Sequence, residues 1–208
     1  MPQLSYAIRL ASYRQATEDR AQVIDLENRI VIIVADGCGG VPHGKEASDA
    51  VIGLVRDRAH DLMDAESCIE LLREADRVVL ATGGETTAVL IVIDEGGIRG
   101  ASCGDSEAWV IREDGSIDDL TLRQHLKRRL GSGRAVPVGF ERIGVEGVLV
   151  VGSDGLFRYA TAERIASAVT MATTVDGAAE GLVELVRTTS NDLLDDVGLA
   201  VVMASSGE

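Results

Sequence analysis

Six short apolar runs constrain this chain more than any other feature: Ile30–Ala35, Thr87–Ile93, Ile98–Cys103, Ala108–Arg112, Val148–Val151 and Val197–Met203. They are rich in Val and Ile and are bounded by Gly or Asp, the pattern of buried strands. Asp94-Glu95-Gly96-Gly97 separates two of them and Asp114-Gly115 follows a third; such sequences supply the positive φ of tight hairpin turns. Helical spacing lies outside the runs. Ala47, Ala50, Val51, Leu54, Val55 and Leu62 share one face, and so do Cys68, Leu71, Leu72, Ala75 and Val79. Ile165, Ala168 and Val169 follow a candidate N-cap at Thr161, and Ala178, Leu182, Leu185 and Val186 follow one at Asp176. Helices grouped in pairs, rather than alternating one for one with strands, predict antiparallel sheets covered by helices and not a doubly wound parallel sheet.

The 208 residues are 46 % hydrophobic, enough for a packed core, and without repeat, low-complexity tract or Pro/Ser-rich linker they read as a single domain, 1–208. Aromatics are only 3 %, so the core must be aliphatic. Asp and Glu number 34 against 20 Lys and Arg, a net charge of −14 that repels phosphate backbones and anionic lipid. Neither nucleic acid nor membrane is therefore an expected partner. Cys38, Cys68 and Cys103 are too few and scattered for a disulfide framework. With no signal peptide and no apolar stretch near the ~18 residues of a membrane span, the expected location is the cytoplasm.

Gly39 to Lys45 spells G-x-x-x-x-G-K after a strand, the outline of a phosphate-binding loop. Glu46 stands where that loop needs Ser or Thr, and Pro42 removes an N–H from the cradle, so the match is a decoy. Acid placement carries more. Asp36-Gly37 closes one run, Asp154-Gly155 follows another, and Asp195-Asp196 precedes the last. Glu18-Asp19 falls between two N-terminal strand candidates, and Gly104-Asp105-Ser106 joins two runs. Each alone reads as a turn aspartate. Together they converge if the strand ends do, and clustered carboxylates call for a cation. Oxygen ligands without His or Cys suit Mg²⁺ or Mn²⁺.

Arg14-x-x-x-Glu18-Asp19, Asp36-Gly37-Cys38-Gly39-Gly40, Gly84-x-Thr86-Thr87-Ala88, Gly104-Asp105-Ser106, Ser153-Asp154-Gly155-Leu156 and Asp195-Asp196 occur in one order over about residues 5 to 203. In that order they resemble the type 2C metal-dependent serine/threonine protein phosphatases (the PPM family), in a compact bacterial form. The resemblance implies an α+β fold, a four-layer αββα sandwich of two antiparallel sheets flanked by helices. It implies two Mn²⁺ or Mg²⁺ ions, with Asp36 bridging both and the Gly37 carbonyl and Glu18 contributing. Asp154 and Asp195 would hold the other ion. Arg14 would bind the substrate phosphate, Asp19 would orient bound water, and Asp105 is the candidate for a third, labile ion. The implied reaction is hydrolysis of phosphoserine or phosphothreonine by water activated between the ions. The implied partners are a phosphorylated protein and a cognate Ser/Thr kinase system.

The sequence departs from the family pattern at several places. Cys38 stands where relatives carry His or Met, Thr17 where Asn is common, Glu107 where Arg follows Gly-Asp-Ser, and Gly198 where Ser or Thr is usual. The mobile flap of relatives shrinks here to Thr121–Phe140, which holds a basic cluster of Arg123, Lys127, Arg128, Arg129 and Arg134. That cluster reads either as a solvated loop or as a docking patch for acidic phosphopeptides. Cys68, Cys103 and Trp109 read as core, and His60 and His125 as surface. Two alternatives stand beside the phosphatase reading: the same chemistry on a small phosphoester, and a non-catalytic binding module on the same fold.

Overall fold

Strands that are apolar at every position must be covered on both faces, and the chain achieves this with four layers. The structure is a computed structural model describing residues 4–13, 16–40, 42–124 and 128–204. Its strands are β1 (Leu4–Ala11), β2 (Arg20–Leu26), β3 (Arg29–Ala35), β4 (Ala88–Asp94), β5 (Gly97–Cys103), β6 (Glu107–Ile111), β7 (Ile117–Asp119), β8 (Val138–Ile143), β9 (Val148–Gly152) and β10 (Val197–Ala204). One sheet runs β1-β10-β9-β6-β7 and the other β2-β3-β4-β5-β8. All the strand pairings are antiparallel. The helices are α1 (Gly44–Arg58), α2 (Ala65–Leu80), α3 (Asp154–Phe157), α4 (Ala162–Met171) and α5 (Val175–Leu185).

Alternation along β3 explains the layering. Val31, Ile33 and Ala35 pack with Val51, Val55, Leu72 and Val79 of α1 and α2. Ile30, Ile32 and Val34 point the other way and meet Val110, Leu149, Val151 and Val202 of the facing sheet. On that second sheet Val150, Leu199 and Val201 turn outward to Ile165, Val169 and Leu182 of α4 and α5. The predicted αββα sandwich is what forms. Both expected hairpins are present: Asp94 pairs Gly97 across the β4–β5 turn, and Gly115, at φ 80°, lies between β6 and β7.

Two helix starts differ from expectation. The N-cap of α5 is Thr174, whose Oγ1 accepts from Gly177 N at 3.1 Å; Asp176 lies inside the first turn and pairs with Arg9 at 3.0 Å. Helix α1 starts at Gly44 rather than near Ala47-Ser48. Gly44 lies flat against the Gly37–Cys38 backbone, where a Cβ would fall 2.9 Å from Cys38 N, so the helix can begin right at the strand end. The P-loop look-alike is therefore a glycine-rich approach to this helix. All three cysteines are free and buried. Trp109 is half-buried, its ring 4.6 Å from that of Phe157. His60 is exposed, whereas His125 lies outside the described residues.

Candidate active site

The acidic positions gather at one end of the sandwich, where chain from both sheets meets. Asp36 follows β3 directly. Its carbonyl accepts from Thr87 N at 2.9 Å and from Thr86 Oγ1 at 2.8 Å, and its N–H donates to Thr87 Oγ1 at 3.2 Å. Thr87 Oγ1 in turn meets Ser106 Oγ at 2.6 Å, tying in the loop that carries Asp105. Gly37 is pressed between the carbonyls of Gly44 and Glu18; a Cβ there would lie 2.9 Å from the Glu18 oxygen and would collide with that of Gly44. Only glycine lets the backbone come so close. The Glu18 carbonyl is held from the other side by Ser48 Oγ at 2.6 Å.

Asp196 organises the N-terminal side. Its carboxylate accepts from Tyr13 N at 2.7 Å and Glu18 N at 2.8 Å, so the start of β10 grips the segment that leads into β2. Asp195 Oδ1 accepts from Asp196 N at 3.0 Å. Arg14 lies outside the described residues.

The carboxylates act on one another. Asp19 is only 1 % exposed, and its Oδ2 is buried with no hydrogen-bond partner. Burial first, then Asp196 and Asp154, raise its pKa, against hydrogen bonds with Ser153 and Asp36. Burial likewise raises Asp36, followed by the charges of Asp19, Asp154 and Asp105. Asp154 is raised by burial, Asp105 and Asp195, with Arg158 and Arg129 opposing. Asp19, Asp36, Asp105, Asp154 and Asp195 thus form one electrostatic unit. A 360 Å³ cleft beside it is lined by Glu18, Gly37, Asp195 and Asp196, and a 560 Å³ cleft by Asp105, Ser106, Asp154, Phe157 and Arg158. Burial pushes the Cys38 thiol up to about 12, with Arg129 opposing and Asp36 adding to the rise, so this sulfur stays protonated.

As the side chains stand, no three His, Cys, Asp or Glu among the described residues close on a single point. The donor set nonetheless fits a hard divalent cation. It is all oxygen, its carboxylates oppose one another's ionisation, and it includes the orphaned Asp19 Oδ2. Mg²⁺ in particular takes one or two carboxylates and keeps water for the rest of its shell. Gly198 lies beside the orphan, its ideal Cβ position 3.2 Å from Asp19 Oδ2, and brings no side chain to satisfy it.

Three contributions were not legible from the sequence. In the sequence Asp196 is only half of an acidic pair; its anchoring role depends on the β1–β10 end meeting the start of β2. The Thr86, Thr87 and Ser106 hydroxyls were visible as motif residues without a role. Arg129 lay in a basic run, with no signal separating it from its neighbours.

No family model and no curated protein sequence matches the chain. Solved structures do. A bacterial serine phosphatase superposes with a TM-score of 0.81 at 20% identity, covering 100% of both chains. Serine/threonine phosphatase Stp1 from Staphylococcus aureus gives 0.79 at 22% identity, over 100% of this chain and 96% of that one. RsbX, solved in complex with magnesium, gives 0.78 at 17% identity, over 97% and 96%. The chain has the fold of these bacterial proteins from end to end.

Proposed function

We propose that residues 1–208 form one PPM-type phosphatase domain that hydrolyses phosphoserine or phosphothreonine in proteins, in the cytoplasm. The observation that carries this reading is the carboxylate unit of Asp19, Asp36, Asp105, Asp154 and Asp195, drawn from both sheets and opposing one another's ionisation. The shared fold and the magnesium in RsbX support it. Asp36, the Gly37 carbonyl, Glu18, Asp154 and Asp195 are the residues that would hold two Mn²⁺ or Mg²⁺ ions, with Asp105 available to a third. Bound there, such ions acidify water and neutralise phosphate charge. Arg14 would grip phosphate oxygens with its planar fork. Asp19, buried and half-satisfied, would accept a proton or a water hydrogen through Oδ2. The Cys38 thiol, kept protonated by burial, offers no strong base at this end of the site.

The test is hydrolysis of a chromogenic aryl phosphate and then of phosphoserine and phosphothreonine peptides, with Mn²⁺, Mg²⁺, Zn²⁺ or a chelator. Turnover should require Mn²⁺ or Mg²⁺ and vanish with chelator. Full activity in chelator, or activity restored by zinc alone, would sink the reading.

A further inference from the structure

Residues 128–135 return to the site as a fixed strap. Leu130 and Thr86 exchange two backbone hydrogen bonds, at 2.9 and 3.1 Å, and Thr86 is itself bridged to Gly37. One residue before Arg129, the Arg128 carbonyl accepts from the Cys103 thiol at 3.1 Å. Beyond it, the buried Asp76 of α2 takes Gly131 N at 2.8 Å and Gly133 N at 3.1 Å on Oδ1, and Ala135 N at 3.3 Å on Oδ2. Gly131, at φ 94°, lies against the Gly84 carbonyl with no room for a Cβ. These contacts hold the backbone of Arg129 between the Asp36–Thr86 junction and the end of β5, which leads to Asp105. Its side chain is half-buried, and its charge reaches both Asp154 and Cys38. Among the described residues this guanidinium enters no ion pair, unlike Arg20 or Arg142, whose partners are fixed acids.

We propose that Arg129 is a second phosphate-binding residue of the site, delivered by the Asp76-pinned strap to hold the oxygens of the bound phosphoester. The inference rests on the phosphatase reading and deepens it. A phosphate monoester brings about two negative charges to a place already crowded with carboxylates. A guanidinium without an acid partner, held on a braced backbone, is suited to a bidentate grip and loses little freedom on binding.

The experiment measures inorganic phosphate binding to the Mn²⁺-loaded protein by calorimetry, alongside KM and kcat on an aryl phosphate. The variants are Arg129→Ala, Arg129→Gln, Arg129→Lys and, as an exposed arginine of the same segment, Arg134→Ala. Arg129→Ala and Arg129→Gln should each weaken phosphate binding and raise KM about tenfold or more, the range of a lost charge-assisted hydrogen bond. Arg129→Lys should recover part of this, and Arg134→Ala should change neither. If Arg129→Ala fails to fold, Arg129→Gln keeps the packing and carries the test. Unchanged phosphate affinity in Arg129→Gln overturns the proposal, even if metal affinity shifts, since Arg129 would then only balance Asp154. If the unaltered protein neither binds phosphate nor turns over, the phosphatase reading itself falls.

Discussion

At the scale of single residues, the acidic unit is held at a cost in stability. Asp19 and Asp36 have raised pKa values, mainly from burial. An acid raised on folding keeps its proton in the native state after the unfolded chain has released it, from about pH 4 upward. The native state then binds more protons, and stability falls as pH rises through the folded values. The metal-free protein should therefore melt several degrees lower at about pH 8 than at about pH 5.5, and saturating Mn²⁺ should flatten the slope. A melting temperature in chelator that climbs over that interval would mean the carboxylates are already compensated. Asp154 obeys the same logic, because Asp105 and Asp195 oppose its ionisation. Asp154→Asn should leave the chelated protein as stable as before or more so, while removing Mn²⁺-dependent hydrolysis. If it melts lower in chelator, Asp154 is a structural turn residue.

At the scale of elements, caps and loop anchors decide where the site-bearing segments lie. Thr174→Ala should cost about 1 kcal/mol of stability through the lost α5 cap. Asp176→Ala, which breaks only an exposed pair with Arg9, should cost less; chemical denaturation separates the two. Asp76 receives three backbone N–H groups from the strap. Asp76→Ala should cost about 1.5–3 kcal/mol and raise KM more than it lowers kcat, with Asp76→Asn milder because it keeps one acceptor oxygen. The sequence announced β3, β4, β5, β6, β9 and β10 because strands buried on both faces read as unbroken aliphatic runs. The strands β1, β2, β7 and β8 lie at the sheet edges and mix polar with apolar positions, so their bounds were not legible. In the same way Asp36 and Asp154 stood out, each following an apolar run and preceding glycine. The roles of Asp196 and Arg129 arise only when distant segments meet, and no local pattern encodes that.

For the whole molecule, the −14 charge and the acidic unit predict that divalent cations raise stability. At about a hundred times its Kd, a bound ion adds roughly 2.7 kcal/mol, or roughly 5–10 °C in Tm for a chain of this size. Scanning calorimetry with Mn²⁺ should register this shift, and NaCl matched for ionic strength should not. An equal rise with NaCl would assign the effect to screening of surface repulsion.

Gly104–Ser106 leads from β5 in one sheet to β6 in the other, and Asp19, before β2, already touches Ser153 after β9. The sandwich thus resembles a book with one clasp at the acidic corner, the far end being closed separately by the β8–β9 link and the Arg142–Asp118 pair. An ion in that corner would fasten the clasp, and losing it would let the covers breathe there while the far edge stayed shut. Amide protons beside Asp36 and beside Asp154, on opposite covers, should then exchange faster together when the metal leaves. Occupancy would become a mechanical state of the molecule, readable without any substrate.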